Sequence, residues 1–233
     1  MQAFKVTFRF GAPVLRDSEY PVHLDALIAA AAMRDHLAAG TDNPWLAADD
    51  LSAYLDRTDG EAWVWKASQL HFEAASARQW MNHIRRSEPA QYFEDLGKYW
   101  VGKRTKAHGH LGINPESFKI DTRSGQQRGY QWLAAVQWID TATAFGVGDI
   151  DAVQDVLMRQ ITHVGKKGVN GYGRVTNIVV EPAAESELDN WRLRVLPAGV
   201  PGKSGIQYEP VLACVRAPYW RKLDRVMAQE PII

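Results

Sequence analysis

The stretch that most restricts how this chain can fold runs from 163 to 174: His163-Val164-Gly165-Lys166-Lys167-Gly168-Val169-Asn170-Gly171-Tyr172-Gly173-Arg174. It lies between a helical pattern and a strand pattern. Upstream, Asp149 is placed as an N-cap and Ile150, Val153, Val156, Leu157, Ile161 and Val164 form an apolar stripe, with Gly165 as the expected stop. Downstream, Arg174 to Val180 is rich in β-branched residues. Phosphate loops of nucleotide enzymes have the opposite order: they follow a strand and open a helix, so that the phosphate meets the helix N-terminus. Neither G-x-x-x-x-G-K-[ST] nor G-x-G-x-x-G occurs here. The order of elements argues against ATPase and dinucleotide-dehydrogenase folds.

The run still has the composition of a polyanion cradle. Glycine takes φ > 0 without strain and lets backbone N–H groups approach a ligand, while Lys166, Lys167 and Arg174 supply charge. The binding candidates are Gly165, Lys166, Lys167, Gly168, Asn170, Gly171, Tyr172, Gly173 and Arg174. Gly171-Tyr172-Gly173-Arg174-Val175 has the look of an RNA-recognition signature, but Asn170 replaces its leading cation and Arg174 its aromatic, which argues against an ordinary RRM.

Lys plus Arg equals Asp plus Glu at 27 each, so the net charge is zero. The charges are nonetheless segregated. Asp42, Asp49, Asp50, Asp56, Asp59 and Glu61 are opposed only by Arg57, and Glu181, Glu185, Glu187 and Asp189 form a second acidic cluster. In the other direction, Lys98, Lys103, Arg104, Lys106, Lys119, Arg123 and Arg128 outnumber Glu116 and Asp121. Tyr99, Trp100, His108, His110 and Phe118 are interleaved with these cations, the mixture of charge and stacking that single-stranded RNA binding uses. Lys103, Arg104, Lys106, His108, His110, Arg123 and Arg128 are the second group of candidates. The acidic faces would repel nucleic acid, so RNA is expected on the side away from them.

Phe4, Val6, Phe8 and Phe10 alternate with Lys5, Thr7 and Arg9, a half-buried strand ended by Gly11-Ala12-Pro13. A helix is predicted from Leu24 to Ala39, stopped by Gly40, then a strand or hairpin arm over Ala62 to Phe72 and a helix over about 75–86. No period holds from Tyr99 to Gly129, a span longer than compact domains usually leave without structure. Tyr130, Trp132, Ala134, Val136 and Trp138 are predicted to share one strand face, and further strands are predicted over Trp191 to Leu196 and Gln207 to Val215. The class is α+β. Two strand–helix–strand halves suggest two ferredoxin-like modules, or one complete and one degraded, organised as 1–97, a basic insertion at 98–129, and 130–233 with the glycine-rich loop.

Cys214 sits in the apolar run Val211 to Val215 and reads as a buried small hydrophobe. No cofactor or metal site is expected: His108-Gly109-His110 lacks a second ligand pair, and the aspartates lack the D-x-D-x-D-G loop. No apolar stretch reaches ~18 residues and the N-terminal order is not that of a signal peptide, so a cytoplasmic location without membrane contact is expected. His163 suits the end of the preceding helix, and Trp63, Trp65, Trp132 and Trp138 suit core or subunit packing.

A helix followed by Gly165-Lys166-Lys167-Gly168-Val169-Asn170-Gly171-Tyr172-Gly173-Arg174-Val175 resembles the RAMP superfamily of class 1 CRISPR effector complexes. Phe8-Arg9-Phe10-Gly11-Ala12-Pro13 running into Pro21-Val22-His23-Leu24-Asp25-Ala26-Leu27, and Ala217-Pro218-Tyr219-Trp220, are similar to the Cas-five-like subunit that caps the guide RNA, most of all its type IV version. The resemblance spans most of the chain and is weakest from about 37 to 98. It implies a ferredoxin-like (RRM-like) RAMP fold and a non-catalytic, RNA-binding subunit of an antiviral ribonucleoprotein. Such a subunit grips the 5′ handle of the CRISPR RNA (crRNA) and contacts the backbone and large subunits, with room for contact to target DNA. A thumb-like hairpin implied by the family maps to about 98–129. The runner-up is a metal-independent RAMP endoribonuclease processing precursor crRNA, with His23 as general base; a generic anion-binding domain is the third reading.

Overall fold

The computed structural model describes residues 1–15, 21–85, 129–219 and 221–232. Contacts divide the chain into two compact units, Met1–Gln79 together with Val136–Ile233, and Trp80–Ala135. Residues on both sides of the smaller unit in the sequence thus build the larger one.

In the larger unit, strand β1 (Gln2–Phe10) lies between β6 (Ile139–Gly148) and β7 (Val175–Pro182), with β3 (His71–Ala74) beyond β6. Every neighbouring pair is antiparallel. Helix α1 (Leu24–Ala38) separates β1 from β3, and α3 (Ile150–Gln160) separates β6 from β7; a single turn, α2 (Leu46–Asp49), follows α1. The path through this sheet is strand, helix, strand, strand, helix, strand, with spatial order β3-β6-β1-β7. Strands from before and after the smaller unit thus alternate in one sheet.

The β1–β6 register explains the choice of residues. Phe4, Val6 and Phe8 are fully buried and face Gly146, Ala144 and Ala142 across the ladder. Bulky residues on one strand spread over small ones on the next, and a Cβ on Gly146 would stand 2.5 Å from the Phe4 ring. Gly148 is more constrained, since a Cβ there would come within 2.0 Å of the Tyr54 carbonyl oxygen. This layer packs with Leu24, Ile28 and Ala31 of α1 and Val153, Val156 and Leu157 of α3. Asp149 caps α3 as expected, accepting the Ala152 N–H at 3.0 Å. The helix stops at Gln160, a turn before Gly165, because Ile161 is already extended.

A smaller sheet, β8 (Leu196–Pro197), β10 (Val226–Pro231) and β9 (Tyr208–Ala213) in that order, covers a second cluster built on Trp191, Val195, Leu196 and Val215. The strand predicted over Trp191 to Leu196 is instead a 3-10 turn at Asn190–Arg192 followed by the two-residue β8. Ala62 to Leu70 likewise forms isolated bridges, with Lys66 N–H bonded to Asp56 and Ser68 N–H to Phe145.

After β3 the chain leaves the main sheet and returns at β6. Ala75 donates its N–H to Trp138 O at 2.9 Å, the Trp138 N–H bonds Ser76 Oγ at 3.1 Å, and Gln137 Nε2 reaches Ser76 O at 2.8 Å. Between these points, β4 (Gln79–Arg85) and β5 (Tyr130–Gln137) are sheet neighbours, and the end of β5 pairs with β2 (Val14–Leu15). The helix predicted over about 75–86 is overturned. Trp80-Met81-Asn82-His83-Ile84 carries aromatic and β-branched residues that suit a pleated surface, and tertiary pairing overrides the weak helical period. Within this unit the His83 and Trp132 rings stack at 4.6 Å. The single face predicted for β5 does not hold either: Ala134, Ala135 and Val136 are buried in succession while Tyr130 and Trp138 are exposed.

Candidate nucleic-acid interface

The glycine run forms a pinched loop. Val164 N–H bonds Gly173 O at 2.9 Å and Val175 N–H bonds Thr162 O at 2.9 Å, while His163 and Arg174 form an antiparallel bridge. Inside the pinch a one-turn 3-10 helix spans Gly168–Asn170, closed by Gly171 N–H to Gly168 O at 2.8 Å.

Two glycines are required by their surroundings. Gly173 has φ +64°, and a Cβ there would meet Val164 O at 1.9 Å; Gly168 lies so close to His163 that a Cβ would stand 2.9 Å from its Cβ. Lys167 itself adopts φ +61°, the sole non-glycine among the described residues to do so. Positive φ at a lysine is a strain of about 1–2 kcal/mol that the rest of the loop must hold in place.

The base of the loop is fixed by the end of β1. Gly173 donates to Pro13 O at 2.8 Å, Gly11 donates to Arg174 O at 2.9 Å, and Gly165 packs on Val14. Lys166, Lys167, Asn170, Gly171 and Arg174 are exposed, Gly168 and Tyr172 are half-buried, and Val169 at the tip is fully exposed. The structure thus brings the first group of candidates together on one braced projection. His163 lies beyond the helix end, its Nδ1 3.0 Å from Thr162 Oγ1, and does not cap α3. Lys103, Arg104, Lys106, His108, His110, Arg123 and Arg128 lie outside the described residues.

A second constellation was not singled out from the sequence. Arg194 and Asp25 are both fully buried and paired at 3.3 Å. The guanidinium also donates to the carbonyls of Trp65 (2.8 Å), Ala67 (2.8 Å) and Val215 (2.7 Å) and to the Tyr219 hydroxyl at 2.5 Å. Tyr219 in turn donates to both Asp25 oxygens, at 2.8 and 2.7 Å. Burial disfavours the Arg194 cation, but the adjoining Asp25 carboxylate and Tyr219 hydroxyl raise its pKa above the ordinary arginine value. Loss of surrounding water pushes the Tyr219 phenol well above its usual range, so it acts as a neutral donor.

The His23 ring stacks on Tyr219 at 4.1 Å and is 2% exposed. Burial, then the Arg194 cation, hold its pKa well below that of a free histidine. The signals for this network were a charged residue inside Leu193-Arg194-Val195-Leu196 and another inside Leu24-Asp25-Ala26-Leu27, each too short to establish which residue it faces.

The three sequence stretches that carried the resemblance therefore meet in two places: Gly11 to Pro13 beneath the glycine loop, and Pro21 to Leu27 with Ala217 to Tyr219 around Arg194. No curated protein matches the chain. The model of one family, described as CRISPR type IV associated protein Csf3, matches residues 2–231. With nearly the whole length matched, the chain belongs to the Csf3 family of type IV CRISPR-associated proteins.

Proposed function

We propose that this chain is a non-catalytic, RNA-binding subunit of a type IV effector ribonucleoprotein that holds the 5′ handle of the crRNA and packs against the backbone and large subunits. The observation that carries the reading is the braced glycine loop, which projects exposed backbone and the exposed Lys166, Lys167 and Arg174 from a pinched base. Backbone at positive φ with flanking cations suits phosphate oxygens, and the placement needs no helix N-terminus. The order strand, helix, strand, strand, helix, strand with β1 central supports a ferredoxin-like RAMP core; the thumb-like insertion expected at about 98–129 falls between β3 and β6 in the sequence and, up to residue 128, lies outside the described residues.

A non-catalytic role is supported by His23. A general base must reach the proton it removes, and this ring is enclosed beneath Tyr219. Incubating the protein with repeat RNA in EDTA tests this: specific cleavage lost in His23→Ala would sink it, and binding without cleavage agrees with it. For the loop, Lys166→Ala, Lys167→Ala and Arg174→Ala together should weaken handle binding. They should also reduce the log–log salt slope by about two, at ~0.7 per phosphate contact on a single strand. An unchanged slope would contradict phosphate contact.

A further inference from the structure

Beside the Arg194 network lies a cavity of about 220 Å³, lined by Pro21 and His23 just before α1, by Tyr219, by the end of β9 from Val211 to Ala213 and by Cys214 beyond it. Its size falls below the ~300–1,000 Å³ of sites for drug-sized ligands and suits a single small ring system. The walls are largely apolar, with Val195 and Leu212 among them, and Arg225 and Glu230 add one guanidinium and one carboxyl group. His23 forms no side-chain hydrogen bond at the helix start, and its buried Nδ1 has no partner among the described residues.

We propose that this cavity receives one unstacked nucleobase of the bound RNA, held against the His23–Tyr219 stack and read along its edge by Glu230 and Arg225. The inference rests on the RNA-binding reading above and deepens it. Single-stranded RNA is recognised through splayed-out bases that combine a flat apolar face with donors and acceptors on the edge. A cavity with an aromatic wall, aliphatic walls and a few polar groups is complementary to both parts. An aromatic side chain from a protein partner would fill the volume but offer little to the carboxyl group, leaving it desolvated without a partner. Glu230 is already disfavoured as an anion, by burial and then by Glu209, which faces it across the β9–β10 ladder. A base edge presenting N–H donors would relieve it, so guanosine is the expected best ligand.

Nucleosides, which carry no phosphate for the glycine loop, test the pocket by itself. Titrating the purified chain with guanosine, adenosine, cytidine and uridine, while following the His23 imidazole and Ala213 methyl resonances by NMR, should give saturable shifts with a Kd of about 1 mM or tighter. Ala213→Leu, which fills the cavity from β9, and Glu230→Gln should each weaken guanosine at least about tenfold, while the triple alanine loop variant leaves it unchanged. With handle RNA, Ala213→Leu should lower affinity without altering the salt slope. Absence of saturable nucleoside shifts, or unchanged guanosine affinity in Ala213→Leu, overturns the pocket. So does saturation by N-acetyltryptophanamide instead of nucleosides, which would mark a protein-docking site. Handle RNA binding that ignores Ala213→Leu refutes the pocket and spares the RNA-binding role. Nucleoside binding without RNA binding refutes that role instead.

Discussion

Arg194 offers a direct test of how the two halves of the larger unit are held together. Replacing it with methionine keeps much of the volume but leaves the fully buried Asp25 carboxylate with only the Ala26 N–H at 3.0 Å and the Tyr219 hydroxyl. It also removes donors from Ala67 O and Val215 O; Trp65 O keeps the Ala67 N–H. Breaking one side of a buried ion pair costs about 3–5 kcal/mol, and each carbonyl left without a donor roughly 1–3 kcal/mol. Even with relaxation, Arg194→Met should lose about 4 kcal/mol or more, a large share of the ~5–15 kcal/mol typical of a domain. The combination Arg194→Met, Asp25→Leu and Tyr219→Phe removes every charged member together. It should recover at least ~2 kcal/mol relative to Arg194→Met alone, because apolar replacements of buried ion pairs are often neutral or stabilising. Urea denaturation followed by circular dichroism measures both, provided the m-values stay constant. If Arg194→Met loses less than about 1 kcal/mol, or the triple variant is no more stable than it, the network is not the structural fastener described here.

The remaining predictions concern the loop, the core and pH. Gly173→Ala should disrupt the loop base and handle binding together, because its Cβ would overlap Val164 O, whereas Gly171→Ala, at φ +87° with open space around it, should cost only about 1–2 kcal/mol; thermal melts and RNA titration separate the two. Phe4→Ala should lose about 3–5 kcal/mol from a fully buried ring facing Gly146, and a loss under ~1 kcal/mol in urea titration would mean that the site collapses around the vacancy. His23 is held neutral in the fold while the unfolded chain protonates it near pH 6.5. The unfolded state therefore binds more protons below that pH, and His23's contribution, complete above it, declines on acidification by at most about 1.4 kcal/mol per pH unit. His71 shifts the same way through burial and then Lys203, so the diagnostic is the slope that His23→Gln removes, measured by denaturation from about pH 5 to about pH 7.5. Identical slopes would mean that the imidazole is accessible to protons in the folded state.

Patterns confined to one element were the most legible. The alternation from Phe4 to Phe10 and the apolar stripe behind Asp149 are local signals that form a strand and, as far as Gln160, a helix, and the glycine run forms the loop that follows. No period marks strand β6, although it sits beside β1 in the sheet. Its core-facing Ala142, Ala144, Gly146 and Gly148 carry little hydrophobic signal, and the two glycines leave room for the Phe4 ring and the Tyr54 backbone. That information resides in another part of the chain. The same holds for Arg194: its partners are 169 residues away at Asp25 and 25 away at Tyr219, so neither spacing nor composition could pair them. The glycine loop is legible from its own residues, but its brace on Gly11 and Pro13 depends on β7 lying beside β1.

The clasp at Ala75–Ser76 and Gln137–Trp138 has an evolutionary consequence. Its hydrogen bonds tie the outgoing and returning strands at the edge of the sheet, so the ladder is closed before the intervening residues begin. Whatever is spliced between those two points can lengthen, shorten or be exchanged without asking the β3–β6 pairing to change. The fold thus has a slot in which one segment can be rewritten while the frame is kept intact.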